Sequence, residues 1–412
     1  MRLPWMCLLV ACAAPPAAPA PPRTSAAPAA LPPDATRVYT IWLGGARVGT
    51  ATERETWTAR GVHLSRDEQL RFLRGDTEVS LATDIEIDAD VALAPRRVRW
   101  VERANDGTRA AEAVRAGDGW HVSSGARLPA GAVPAELVPL VVRRDGHFEG
   151  GVFLPARGFV AGDGRIEPVA PGRLVARLQM ARAMAEATID LDRDGAPARV
   201  VDGEGVIELR ATAAAARAPF EAVDLVAATA LPIAGAHRTH RLLLDGELAL
   251  PPLPGQAVRP APDGLEVALG AALPGALPDG APGPDHLHDI RVLVAAVRGR
   301  ITPDLGASPA RDPLQATAGD CTTFALAYAA LAARRGIPTR VVTGLRVDGN
   351  RLVRHRWAVS WTGRAWIAVD AAFGAAPAGG DLVGLAIHDG DDAGLVAGDA
   401  ALTRVHAAAW IH

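Results

Sequence analysis

The chain has no lysine: all 43 of its basic residues are arginine, and alanine, glycine and proline are used heavily. That bias reflects coding composition, and no function is drawn from it. Cysteine is nearly as scarce, with Cys7, Cys12 and Cys321 the only three in 412 residues. Long apolar runs are missing as well. No stretch of 18 uninterrupted apolar residues exists to cross a bilayer as a helix, so the mature chain is expected to be water-soluble. A net charge of −3, with no basic block and no basic amphipathic helix, argues against nucleic acid as a partner. The paired histidines His237/His240 and His286/His288 lack the cysteine or carboxylate framework of a metal site and read as surface residues, so neither metal nor cofactor is expected.

What is present begins with punctuation at the N-terminus. Met1-Arg2, a short apolar stretch ending Leu9-Val10-Ala11-Cys12, and then Ala/Pro/Ser-rich sequence describe a secretory signal. The four residues LVAC also resemble the bacterial lipobox. That resemblance implies a signal peptide over residues 1–11 and a lipid-bearing Cys12 as the new first residue. The protein would then be anchored in the bacterial cell envelope, on the periplasmic side of the outer membrane or at the cell surface. In such a chain Cys7 is discarded and Cys12 becomes a thioether. Only Cys321 keeps a thiol, and no intramolecular disulfide can form. A lone thiol is either inert core or a reactive group, and its neighbours decide which.

A length of 412 residues implies two or three globular units. Residues 12–35 are dominated by proline and alanine and read as an extended tether. Period-two alternation then takes over, in Tyr39/Ile41/Leu43, Val79/Leu81, Ile85/Ile87, Leu174/Ala176/Leu178 and Ile189/Leu191. With glycine- and aspartate-rich turns between the runs, it predicts an antiparallel β-rich region over 36–273. The stretches 85–98 and 189–200 look alike and hint at an internal repeat, which common hairpin grammar explains about as well. Strand candidates continue at Arg241–Leu244 and Leu265–Leu269. A Pro/Gly stretch at 274–284 follows and reads as a linker. From Asp285 the apolar period becomes helical through Ile290, Val292, Leu293, Ala296 and Val297, with Gly299 closing the helix.

Chemistry concentrates in 319–374. Helix formers run from Thr322 to Arg335 with an apolar stripe of Phe324, Ala327, Tyr328 and Leu331, ended by Gly336 and Pro338. Cys321 therefore falls in the first turn, where unpaired N–H groups and the helix dipole favour a thiolate and can receive an oxyanion. Thr339–Thr343 then reads as a strand feeding a turn at Gly344. Residues 354–374 read as a hairpin around Thr362-Gly363, with His355, Trp357, Val359 and Trp361 on one face. A two-residue loop would pair His355 directly with Asp370, at about 4.5–5.5 Å between Cβ atoms. A four-residue loop would move Asp370 one diagonal step away on the same face. Trp357, Trp361 and Trp366 read as hairpin core. A thiol at a helix start, with a histidine that a carboxylate can orient, is what nucleophilic acyl transfer needs.

These motifs carry a resemblance. Gly319-x-Cys321 opening a helix, the Gly336-Ile337-Pro338-Thr339-Arg340 run, Gly344, His355-x-Trp357, and Trp366 four residues before Asp370 make residues 285–390 similar to the transglutaminase-like superfamily. The resemblance implies an α+β, papain-like catalytic domain over 285–412, with Cys321 as nucleophile, His355 as base and Asp370 orienting it. The chain departs from the usual pattern at Arg356, where alanine is common, and at Ala371, where proline is common. The function implied is that of a thiol-dependent amide hydrolase or acyltransferase, cofactor-free, passing through an acyl-thioester on a protein or peptide substrate. Hydrolysis is preferred because no calcium-site motif and no second amine site stand out. The alternative is a non-catalytic envelope scaffold that kept the fold for binding.

Overall fold

The computed structural model describes residues 31–411 apart from 118, 181–182, 204, 238, 276, 279 and 308–311. The signal segment, Cys12 and most of the tether lie outside the described residues. Pro33–His412 form one compact unit.

Alternating apolar and polar residues build the larger sheet, which has fourteen strands among the described residues between Ala35 and Ala211. Its first strand, Ala35–Leu43, lies at the centre, paired on one side with Ala46–Thr58 and on the other with Val206–Ala211. Two arms extend from there as antiparallel meanders, the second closed by the short strand Val133–Pro134 paired parallel to Phe148–Leu154. The period puts Tyr39, Ile41, Ile85 and Ile87 on the buried face, as the alternation predicts. The two look-alike stretches are hairpins closed by the same turn. Asp90 Oδ1 accepts from the N–H groups of Ala92 and Ala94. Asp192 Oδ1 accepts from Asp194 and Ala196 in the same way. In each, an aspartate side chain supplies the acceptor that holds the reversal.

The smaller sheet has ten strands among the described residues and corrects the partition drawn from the sequence. The strands Leu231–Ala234, Arg241–Gly246, Gln256–Ala261 and Gly264–Leu269 belong to it, and not with the rest of 36–273. Arg241–Gly246 pairs antiparallel with the last strand, Val405–Trp410, and Leu231–Ala234 pairs with Arg351–Trp361. Alternation alone gives a strand's period but not its partner. Leu242, Leu244 and Val267 are fully buried here against Leu352, Val383 and Trp410. The Pro/Gly stretch is likewise no free linker. The indole N–H of Trp361 donates to Ala281 O at 3.0 Å and that of Trp366 to Pro278 O at 2.9 Å, strapping the segment across the hairpin.

Helices pack against this sheet. The helix Leu287–Arg300 buries Ile290, Leu293, Val294 and Val297, while Val292 and Ala296 face solvent and the helix runs through Gly299. The buried stripe is thus one step round from the one read off the sequence. The cysteine helix, Cys321–Arg334, buries Phe324, Ala327 and Tyr328, and Tyr328 Oη lies 2.8 Å from Ser360 Oγ. The C-terminal helix, Asp392–Leu402, packs on the strands Thr339–Asp348 and Leu382–His388 and also on Ala183–Leu191 of the larger sheet.

The sheet membership predicts how fragments behave. A 285–412 fragment loses the strand beside Val405–Trp410 and exposes the Leu352/Val383/Trp410 cluster, so it should show no cooperative thermal transition. A 229–412 fragment retains the whole smaller sheet and should melt cooperatively. Calorimetry on the two checks this, and equal behaviour would contradict the assignment.

Candidate active site

The cysteine helix starts where it does because Asp320 caps it. Asp320 Oδ1 accepts from the N–H groups of Thr322 at 2.9 Å and Thr323 at 3.3 Å, satisfying two of the donors that a helix start leaves open. Cys321 is the first helical residue and is partly exposed. The cap engages two of the first-turn N–H groups that an oxyanion would otherwise meet, leaving the Cys321 N–H as the first-turn donor the cap does not engage. Gly319 is required here, since a Cβ at that position would lie 2.2 Å from Thr323 Oγ1.

The histidine strand, Arg351–Trp361, and the aspartate strand, Trp366–Asp370, turn through four residues and not two, because Trp361 pairs with Trp366. Thr362 closes the loop, its N–H donating to Ala365 O at 2.9 Å. Asp370 therefore sits diagonally from His355, on the same face. His355 Nε2 and Asp370 Oδ2 are 2.8 Å apart, with both residues buried. Asp370 Oδ1 accepts from the Phe373 N–H at 3.2 Å, so both carboxylate oxygens are engaged. Cys321 lies near enough to act on the His355 imidazole. Burial alone pushes the imidazole down. The hydrogen bond to Asp370, and then the interaction with Cys321, outweigh it and raise His355 to about 9. The structure thus brings together all three residues singled out from the sequence.

Aromatic groups fix the ring. Trp357 lies parallel to His355 with centroids 6.0 Å apart, and Phe373 meets it edge-on at 5.5 Å. Phe373 is 54% exposed and carries the Arg346 guanidinium 3.4 Å over its ring, forming an open aromatic wall beside His355. Gly344, paired with His355, admits no side chain: a Cβ there would lie 2.1 Å from Val383 O.

Three positions escaped the sequence reading. Arg356, noted there only as a departure, ties four elements together. Its Nη1 donates to Thr322 Oγ1 at 2.9 Å, its Nε to Thr343 Oγ1 at 3.1 Å, and its Nη2 pairs with Asp399 of the C-terminal helix. Thr343 Oγ1 also lies 3.0 Å from Nε2 of His388, whose imidazole burial and the nearby Arg356 charge hold down at about 4, and therefore neutral. Asp320 was legible in principle, as an aspartate just before a helix is a common cap. Arg74 carried no local signal. It reaches from a hairpin tip of the larger sheet, donating from Nη2 to Asp320 Oδ2 at 3.0 Å and from Nη1 to Leu305 O at 3.0 Å. It sets a positive charge against a carboxylate one residue from the thiol, where an unpaired negative charge would oppose a thiolate.

Residues 287–371 match the family model of the transglutaminase-like superfamily, so the chain carries a transglutaminase-like domain. No curated protein matches the chain. Among solved structures, a DUF1089 family protein from Pseudomonas aeruginosa aligns at 15% identity over 36% of this chain and 87% of its own, with a TM-score of 0.27. That score is too low to define a shared fold.

The His355 shift has a sign that stability can report. Its folded pKa of about 9 lies above the ordinary 6.5, so its stabilising contribution is complete below pH 6.5 and fades as pH rises through 9. The gap in thermal midpoint between wild type and His355→Gln should be widest near about pH 6 and shrink above about pH 9. A gap independent of pH over that range would contradict the assignment.

Proposed function

We propose that the domain is a papain-like thiol acyl-transfer enzyme, a cysteine peptidase or amidase, with Cys321 as nucleophile, His355 as base and then acid, and Asp370 as the residue that orients His355. The observation that carries the reading is the buried 2.8 Å contact of His355 Nε2 with Asp370 Oδ2, with Cys321 at the start of its helix near enough to act on the same imidazole. In this reading the Cys321 sulfur attacks an amide carbonyl carbon, and the carbonyl oxygen takes up the negative charge facing the Cys321 N–H. As the C–N bond breaks, the amine leaves with the proton held by His355. Water, deprotonated by His355, then attacks the thioester, returning free acid and thiol. An amine in place of water would give transamidation by the same steps. Asp370 holds the ring in one tautomer and stabilises the imidazolium, as the carboxylate of a Ser-His-Asp triad does. Phe373, exposed beside His355, supplies an apolar surface for a protein or peptide substrate.

The test is alkylation. In a chain processed before Cys12, iodoacetamide reports on Cys321 alone. Labelling should remain fast near about pH 6, where a free thiol of pKa about 8.5 is less than about one per cent ionised. His355→Ala should slow it and abolish turnover on a panel of amide and peptide substrates, while Asp370→Asn should spare labelling more than turnover. Superimposable pH–labelling curves for wild type and His355→Ala would overturn the reading.

We further propose that the LVAC segment is processed and the protein anchored in the cell envelope through Cys12. Mass spectrometry of the membrane fraction from a bacterial host should find a diacylglyceryl Cys12 as the first residue. An unmodified chain beginning at Met1 would contradict this.

A further inference from the structure

Strands from both arms of the larger sheet line a cavity of about 440 Å³, and none of Cys321, His355 and Asp370 borders it. Its volume falls within the range of roughly 300–1,000 Å³ typical of small-molecule sites. One part of the wall is apolar: Ile85, Val152, Ile166, Leu178 and Ile189, with Val396 contributed by the C-terminal helix. The other part is a charged cluster built on Glu53, Arg66, Glu68, Glu136 and Glu208.

The cluster is out of balance. Arg66 Nη2 serves Glu68 at 2.9 Å and Glu208 at 2.6 Å. Arg37 serves Glu53 at 3.0 Å and also Glu55, which Arg143 reaches at 2.7 Å. Four carboxylates thus share three guanidinium groups before Glu136 is counted. Glu136 Oε2 is closed to solvent and has no partner among the described residues. Burial raises its carboxyl to about 7, and a backbone hydrogen bond and the charge of Arg66, already shared by Glu68 and Glu208, offset this only in part. The arginines on the lining have no such opening. Besides Arg66, Arg177 holds Glu186 and Glu167, each at 2.9 Å, and Arg157 is engaged as well. The unfilled requirement is therefore for a donor and for positive charge, next to an apolar wall.

We propose that this cavity binds a small amphipathic amine, its apolar body against the Ile166/Leu178/Ile189 wall and its ammonium group at Glu136. A protonated amine supplies both the missing donor and the missing charge, as a charge-assisted hydrogen bond. An alcohol supplies only the donor. A carboxylate supplies neither and meets arginines already taken. The site is independent of the thiol chemistry.

The experiment is calorimetric titration of the full chain at neutral pH with n-octylamine, 1-octanol and octanoate. One saturable site for octylamine is expected, at least about ten-fold tighter than for either of the others. Glu136→Gln should remove that preference while leaving octanol binding unchanged. Ala187→Phe, which fills the cavity from its wall, should abolish binding of all three. Cys321→Ser should leave octylamine binding intact, so loss of the catalytic reading does not touch this one. Octanoate binding as tightly as octylamine, or no saturable binding of any of the three, would overturn the proposal.

Discussion

The site depends on a strand that is paired completely on one edge and incompletely on the other. Arg351–Trp361 is laddered to Thr339–Asp348 along its whole inner edge. On the outer edge, Leu231–Ala234 pairs only with residues 351–352, and the aspartate strand only with 358–361. Among the described residues nothing pairs with 353–357 on that edge, and His355 lies at the middle of that gap. A continuous partner would close the edge and bar the first turn of the cysteine helix from the imidazole. The four-residue loop between Trp361 and Trp366 helps set the gap, because it places the aspartate strand where its last residue reaches His355 diagonally.

The elements around the gap come from both sheets. Arg356 draws the cysteine helix, the strand Thr339–Asp348 and the C-terminal helix together on one guanidinium. The C-terminal helix presents two neighbouring stripes. Leu395 and Asp399 face Arg356, while Val396 and Ala400 border the cavity of the larger sheet. Thr403, just past its end, bonds Gly203 O. Arg74 crosses from the larger sheet to the cap of the cysteine helix. The β-rich half thus supplies a charge beside the cysteine helix and a wall against the helix that braces Arg356.

Much of this was legible in the sequence for a physical reason: local chemistry is written locally. A helix start, a period of two, a turn pair and the spacing from His355 to Asp370 all act within about twenty residues, so they show in the chain. The His355–Asp370 pair was readable because strand alternation fixes facing even when loop length is unknown. Sheet membership of 231–269 was not readable, since the apolar period of Leu242 and Leu244 is the same whichever strand lies beside them. The role of 274–284 was hidden for a related reason. Proline and glycine forbid regular structure, but they do not say whether indole N–H groups elsewhere will hold the segment down. Arg74 lies 246 positions from Asp320, and no pattern in either neighbourhood points to the other. The cavity, similarly, is lined by residues of both arms that lie far apart in the chain.

The central claim is that Cys321 carries the acyl group of a substrate, and trapping that species tests it most directly. The full chain would be mixed with an activated amide or ester, quenched in acid, and its peptides read by mass spectrometry. The account predicts the acyl increment on the peptide containing Cys321, accumulating in wild type, absent in Cys321→Ala and much reduced in His355→Ala. Turnover of the same substrate without acylation of Cys321, or turnover that survives Cys321→Ala, would contradict it.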